Sequence, residues 1–365
     1  MSKSNIAGKI RVGVIGASPG TSWATLTHLP ALKALPQFEL TAVSTTRKAS
    51  ADETARAFGV SHAFDDARAL AEHPDVDLVV VSVRTPEHDR LVRTALAASK
   101  HVFCEWPLGA SVAQTAALHE LAESTGVRTV IGLQRRLVPS VRYLRDLVAE
   151  GYIGKIRSVA IRASAPVLGA SRTASAAYTA DVSNGANVLT IFTAHYLDVA
   201  LAAFGDIREI SAVVARQFDE ATVLETGESI PVTAPDQVLL SGTLHGGAVL
   251  SAHFEGGKRN GSAVAYTITG TEGDLALSDD LTLSGARGDG QPLEPLPIPD
   301  RYHWVPTTDL SLHAQEVGNL YAAFARDFTE GTRLAPSFRD ALHLHRLLDT
   351  FAESSVSGQR KTWTP

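Results

Sequence analysis

The 365-residue chain has a single cysteine, Cys104, so it can form neither an internal disulfide nor a multi-thiolate zinc site, which fits a reducing cytoplasm. It also has no basic excess: 33 Lys+Arg stand against 39 Asp+Glu, a formal balance of −6, and the cations are scattered. A nucleic-acid footprint is therefore not expected, since the short cluster Gln134-Arg135-Arg136 is too small to form one. No apolar run approaches the roughly 20 residues that a membrane helix needs. The most lipid-like stretch, 188–204, contains His195 and Asp198. No apolar stretch of signal-peptide length precedes the first strand, and a cytoplasmic protein is expected. Internal repeats, low-complexity segments and a Gly-x-Ser-x-Gly elbow are absent as well. No metal site is expected, because the histidines show no carboxylate partners at ligand spacing. His343 and His345, two apart on one helix, diverge. What is present is 44% hydrophobic and 20% charged residues, the make-up of a globular protein of two domains.

Strand and helix patterns alternate over residues 1–133. Strands are expected at 10–15, 38–43, 76–83, 101–105 and 128–133, with helices at 23–34, 50–58, 87–98 and 112–124. The run 76–83, Val-Asp-Leu-Val-Val-Val-Ser-Val, reads as a strand buried on both faces. Such alternation predicts α/β architecture, a doubly wound parallel sheet of Rossmann type. From 134 to 365 the pattern changes to period-two strands at 156–164, 207–216, 237–244, 248–254, 263–269 and 274–278. These predict an α+β domain with a mostly antiparallel sheet, carrying helices at 140–150 and 188–203. Residues 284–299, rich in Gly and Pro, read as a surface loop, and helices near 313–330 and 338–355 close the chain.

The first β–α turn runs Gly16-Ala17-Ser18-Pro19-Gly20-Thr21-Ser22-Trp23. A glycine-rich turn here lets backbone N–H groups approach a pyrophosphate at a helix N-terminus. Its spacing departs from G-x-G-x-x-G, with Ser18 at the second glycine position, so the motif alone is equally that of an ordinary tight turn. After the second strand stand Ser44, Thr45, Thr46, Arg47 and Lys48, where an NAD enzyme usually offers an acidic residue to the ribose. Hydroxyls and two cations suit a 2′-phosphate, which favours NADP over NAD, although a solvated basic turn would look the same.

Several segments together resemble the glucose–fructose oxidoreductase/inositol dehydrogenase (Gfo/Idh/MocA) family. They are Val14-Ile15-Gly16, Thr85-Pro86-Glu87-His88, Lys100 to Leu108 with its Glu105-Trp106-Pro107, and Phe338-Arg339-Asp340-Ala341. Within it, Trp23-Ala24, Thr27-His28-Leu29-Pro30-Ala31, Gly151-Tyr152-Ile153-Gly154, Asn184-Gly185 and Gly256-Gly257-Lys258 look like the branch of the yeast galactose-pathway transcriptional inhibitor. The resemblance implies that Val83, Thr85, Pro86, His88, Glu105, Trp106 and Gln134 also contact the dinucleotide, and that the mostly antiparallel sheet is large and open and serves a homodimer or tetramer. It implies further that His195 faces the nicotinamide and handles a proton, with Asp198 able to orient it and Tyr178 a second donor. Trp106, Arg136, Asn184 and His195 would line the substrate pocket. Blander roles stay open: His195 satisfied by a carbonyl, Tyr178 a loop aromatic, Arg136 a structural ion pair, Trp106 a packing residue.

The departures bear on activity. Family dehydrogenases carry lysine where this chain has Trp106, and aspartate where it has Ile191, four residues before His195. An indole N–H donates but does not titrate, and a positioned acid or base is worth roughly 10²–10⁴ in rate. The expectation is an NADP-preferring oxidoreductase acting on a small carbonyl, imine or sugar-like substrate. A nucleotide-gated regulator with a protein partner is the alternative, and NAD-dependent glycoside cleavage a third.

Overall fold

Short runs rich in Val, Ile and Phe, fully buried in the central β4 and β5, build a six-stranded parallel sheet. Its strands are β1 Ile10–Ile15, β2 Phe38–Ser44, β3 His62–Phe64, β4 Leu78–Val81, β5 His101–Cys104 and β6 Thr129–Ile131. The structure is a computed structural model and describes residues 8–20, 22–261, 263–306 and 309–364. Its α-helices are α1 Leu29–Ala34, α2 Lys48–Phe58, α3 Ala67–Glu72, α4 His88–Ala97, α5 Val112–Thr125, α6 Pro139–Ala149, α7 Ala194–Phe204, α8 Leu312–Thr329 and α9 Phe338–Ser357. The chain divides into two compact units. One holds the chain up to Leu137 with His303–Leu342, the other Val138–Tyr302 with the chain from His343 onward.

In the first unit the sheet order is β3-β2-β1-β4-β5-β6, with every pairing parallel. The order reverses between β1 and β4, and that reversal opens a crevice at the carboxyl ends of the strands, where such folds hold ligands. Val12, Val14, Val80, Phe103 and Val130 pack with Leu320, Tyr321 and Phe324 of α8 in one core. A π-helical turn, Ala24–His28, leads into α1. The short β3 and α3 were not anticipated. β3 is only three residues long, and α3 rests on a cap in which Asp66 accepts the Arg68 N–H at 2.9 Å.

The second unit carries a nine-stranded sheet. Its strands are β7 Ile156–Ser164, β9 Ile207–Ala215, β12 Gln237–Leu244, β13 Val249–Glu255, β14 Ala263–Gly270, β15 Gly273–Ser278, β16 Leu283–Arg287, β17 Glu294–Pro295 and β18 Lys361–Thr362. A small sheet holds β8 Ser171–Arg172, β10 Glu220–Val223 and β11 Ser229–Pro231. Within the large sheet only β13 and β7 run parallel. The doubly wound sheet and the mostly antiparallel one are thus the two architectures the patterns predict. The expectation of a loop over 284–299 is corrected: β16 and β17 extend the sheet there. Gly285 is part of the strand because a Cβ would meet Leu275, Leu296 and Tyr152 at 2.8–3.2 Å, and the neighbouring glycines punctuate a hairpin.

The helix bearing His195 begins with a π-helical turn, Val188–Thr193, capped by the Asn187 side chain on the Leu189 and Thr190 N–H groups. It continues as α7 with Ala194, Leu197, Asp198 and Val199 buried. By length and composition Val182–Phe204 has the apolarity to cross a membrane, which corrects the expectation that no run comes close. Sixty-seven per cent of that window is buried inside the protein, and the stretch serves as a core helix.

Candidate functional site

The backbone past each central strand turns into the crevice. After β1, the Gly16 N–H donates to Ser44 O at 2.9 Å, and Ser82, after β4, donates to Ile15 O at 3.0 Å. Glu105 follows β5 and donates to Val81 O at 3.0 Å, while Gly132 follows β6 and donates to Cys104 O at 2.9 Å. Gly16 has φ +94°, and a Cβ there would lie 2.0 Å from Ser82 O, so no side chain fits between the two strand ends. The turn is pinned from behind by Thr54 of α2, whose hydroxyl donates to Ala17 O at 2.8 Å, and from the front by Ser22, whose hydroxyl donates to Ser18 O at 2.7 Å. Ser18 and Gly20 are exposed and Pro19 half-buried; Thr21 lies outside the described residues.

Three buried polar atoms here have no hydrogen-bond partner among the described residues: Trp23 Nε1, Ser82 Oγ and Gln134 Oε1. Buried polar groups are normally paired, so one donor, one hydroxyl and one acceptor left open in the segments after β1, β4 and β6 are groups that a polar ligand could satisfy. Val83 is half-buried, Pro86 exposed and Thr85 buried. His88 is buried with Nδ1 2.7 Å from Pro107 O and Nε2 3.0 Å from Val83 O. Burial pulls its pKa below the ordinary value, opposed by the two carbonyls, which accept only from a protonated ring nitrogen.

The turn after β2 divides by exposure. Ser44 and Thr45 are buried, and the Thr45 hydroxyl contacts Ser50 Oγ at 2.6 Å and Arg47 O at 2.8 Å. Thr46 and Arg47 face solvent, and the Arg47 guanidinium makes no ion pair with a described residue. Lys48 is taken up by Asp52.

Glu105 carries the most built contact in the crevice. Its Oε1 lies 2.8 Å from Nε2 of His28, whose Nδ1 lies 2.7 Å from the Tyr321 hydroxyl. Neither His28 nor Tyr321 has exposed surface, while the Glu105 side chain keeps 13%. Burial and the nearby Glu105 push the Tyr321 hydroxyl well above its ordinary pKa, as burial does for the neighbouring Cys104 thiol. Trp106, next in the chain, is buried. Arg136 forms an ion pair with Asp340 at 2.9 Å. Burial raises the Asp340 carboxyl, but Arg136 and the Ser337 hydrogen bonds outweigh it and hold it below the usual range.

In the second unit, His195 is half-buried on α7, with Asp198 buried three residues on. Tyr178 sits half-buried in a 3₁₀ turn, and Asn184 Nδ2 donates to its carbonyl at 2.7 Å, which ties those two predicted residues into one loop.

Sequence reasoning assigned no role to His28 or Tyr321, which are 293 positions apart; the one local signal was a histidine among the apolar residues of its helix. It also expected no histidine–carboxylate cluster, and the fold corrects this. His62, His73 and Asp75 meet with possible ligand atoms within 4.8 Å of one another, at the amino edge of the parallel sheet. That carboxylate already accepts from Arg11 at 3.0 Å, and the Asp75 N–H donates to His73 Nδ1 at 3.2 Å.

Two family profiles match the chain. One, described as the oxidoreductase family with an NAD-binding Rossmann fold, covers residues 10–133, and the other, the C-terminal domain of Gal80p, covers residues 139–279. The galactose/lactose metabolism regulatory protein GAL80 of Saccharomyces cerevisiae is 28% identical, over 96% of this chain and 94% of its own length. The dTDP-3,4-didehydro-2,6-dideoxy-alpha-D-glucose 3-reductase of Streptomyces violaceoruber is 30% identical, over 73% of this chain and 72% of its own. Among solved structures, a super-repressor mutant of Gal80p from Saccharomyces cerevisiae superimposes with a TM-score of 0.86 at 26% identity, covering 97% of this chain and 98% of that one. With a nucleotide-binding crevice of this form, an NAD-binding Rossmann half and a Gal80p-type C-terminal half, the chain belongs to the Gfo/Idh/MocA oxidoreductase family, near its Gal80 branch.

Proposed function

We propose that the chain binds a nicotinamide dinucleotide, NADP in preference to NAD, at the carboxyl edge of its parallel sheet and uses it to transfer hydride to or from a small carbonyl, imine or sugar-like substrate. The observation that carries this reading is the bare Gly16 turn together with three buried polar atoms in the segments that follow β1, β4 and β6, Trp23 Nε1, Ser82 Oγ and Gln134 Oε1, which no described residue partners. Nicotinamide, when bound, supplies or accepts the hydride. Gly16 lets the backbone approach a pyrophosphate, Ser82 and Gln134 offer polar atoms to the rest of the dinucleotide, and Arg47, exposed and in no ion pair with a described residue, supplies a cation for a 2′-phosphate. His195 is the proposed proton-handling group, with Asp198 orienting it and Tyr178 as a second donor. Trp106 walls the pocket, and Asn184 and Arg136 belong to the substrate side. Because Trp106 cannot titrate, substrates needing little acid help, such as a protonated imine, fit this set of residues best. Homo-oligomerisation through the outer face of the nine-stranded sheet, where Val213, Leu239 and Val249 are 51–57% exposed, belongs to the same reading, as does a cytoplasmic location.

A second reading is favoured by Trp106 and Ile191 together: a nucleotide-gated regulator without turnover, as the likeness to GAL80 suggests. Single-turnover consumption of NADPH against sugars, ketones, aldehydes and cyclic imines separates the two. Oxidation is expected with at least one class, and His195→Ala should slow it by about 10²–10⁴-fold. Firm NADPH binding with no consumption across the panel would contradict catalysis and favour the regulator.

A further inference from the structure

We infer that Tyr321 and His28 are positioning residues that hold the Glu105 carboxylate and present its second oxygen to a hydroxyl of the bound ligand. The inference rests on the nucleotide reading above and adds to it two residues outside the turn motifs.

An ionised carboxylate only accepts, so the 2.8 Å contact to Glu105 Oε1 requires the proton on His28 Nε2. A neutral ring then keeps a lone pair on Nδ1, which faces the Tyr321 hydroxyl at 2.7 Å. Tyr321 stays protonated, as its burial dictates, and donates. The chain of donors therefore runs one way, Tyr321 O–H to His28 Nδ1 and His28 Nε2–H to Glu105 Oε1.

Aromatic neighbours pack against both rings. The His28 ring stands edge-on to Phe103 at 5.1 Å and to Tyr321 at 5.8 Å, and Tyr321 packs edge-on to Phe38 at 5.3 Å. Both are buried in the core between the sheet and α8, where an unpaired nitrogen or hydroxyl would be costly.

The other carboxylate oxygen is built differently. Oε2 of Glu105 accepts no hydrogen bond from a described residue and lies against Gly132, where a Cβ would stand 2.5 Å from it. The site thus has one oxygen fixed from inside the core and one left over a glycine at the crevice. A held acceptor of this kind recognises a hydroxyl, and outer contacts that orient a polar ligand group typically matter about as much as the group itself. In this crevice the hydroxyl belongs either to the ribose of the dinucleotide or to the substrate.

The test uses the full-length protein with Tyr321→Phe, His28→Gln, His28→Leu and Glu105→Ala, singly and as the Tyr321→Phe/Glu105→Ala pair. Nitrogen-15 NMR of the wild-type histidines should show His28 as the Nε2–H tautomer. A spectrum with Nδ1 protonated would overturn the inference whether or not any nucleotide binds. For a ribose hydroxyl, NADPH affinity should fall about 5- to 20-fold in His28→Leu and Tyr321→Phe. His28→Gln, which still carries an N–H, should recover most of it. For a substrate hydroxyl, NADPH affinity should hold and the half-saturating substrate concentration should rise by the same factor. In either case Tyr321→Phe should have no further effect once Glu105 is alanine, because its influence passes through that carboxylate. Additive losses in the double variant, or folded variants that alter neither affinity, would overturn the inference. Failure of the wild type to bind NADPH would instead strike the nucleotide reading, leaving the tautomer as the independent check.

Discussion

Gly16 is the residue on which the crevice turns, and its requirement is steric as well as conformational. Any other residue would need φ +94° and would drive a Cβ to 2.0 Å from Ser82 O, pushing β1 and β4 apart at the edge where the proposed dinucleotide would place its pyrophosphate. Gly16→Ala should therefore abolish measurable NADPH binding in a fluorescence titration and lower stability by about 1–3 kcal/mol, read from the urea midpoint. Arg47 is the opposite case, an exposed cation with no partner to lose among the described residues. Arg47→Ala should leave the melting temperature and the NADH affinity nearly unchanged while weakening NADPH about tenfold. Equal losses for the two nucleotides would show that the residue does not read the 2′-phosphate. Of the residues around this turn, those carried by local chain pattern were legible in the sequence, because a strand, a glycine turn and a helix are contiguous. His28 was visible only as a polar break in an apolar helix face, and its partners Glu105 and Tyr321 come from β5's end and from α8.

At the scale of elements, an ion pair ties the segment around Arg136 to the last helix. Gln134–Leu137 forms a 3₁₀ turn after β6, and Arg136 ties it to Asp340 in the first turn of α9. The Asp340 carboxyl titrates below its usual range in the folded protein. Its contribution is therefore complete above the ordinary carboxylate range and is lost as pH falls through the depressed folded value. The side chain is 35% exposed, so solvent screening brings the cost of Asp340→Asn down from that of a buried pair to about 1–2 kcal/mol. That cost should appear in urea unfolding at neutral pH and vanish in acid; a difference that persisted in acid would mean packing, not charge. Element prediction succeeded where periodicity was long, as in β7, β12 and α8. It failed at β16, where glycines that serve close packing in a strand look, in sequence, like loop residues.

For the molecule as a whole, the change from strand–helix alternation to period-two strands after residue 133 was enough to read both architectures. Pairing order was not readable, because β13 joins β7 in parallel across about 85 intervening residues and no local signal encodes that. The outward face of the large sheet carries Val213 directly opposite Leu239 on adjacent strands, an exposed apolar pair of the kind that a second copy covers. Light scattering should report a dimer or tetramer for the wild type and a monomer for Leu239→Asp, with the NADPH site intact; a monomeric wild type would remove the sheet face as an interface. The central claim, however, is the nucleotide crevice. It is tested most directly by titrating the wild-type protein with NADPH and, in parallel, NADH, following energy transfer from tryptophan to the reduced nicotinamide. The account predicts saturable binding of both, tighter for NADPH, with the signal lost in Gly16→Ala. Absence of saturable binding for either nucleotide would contradict it.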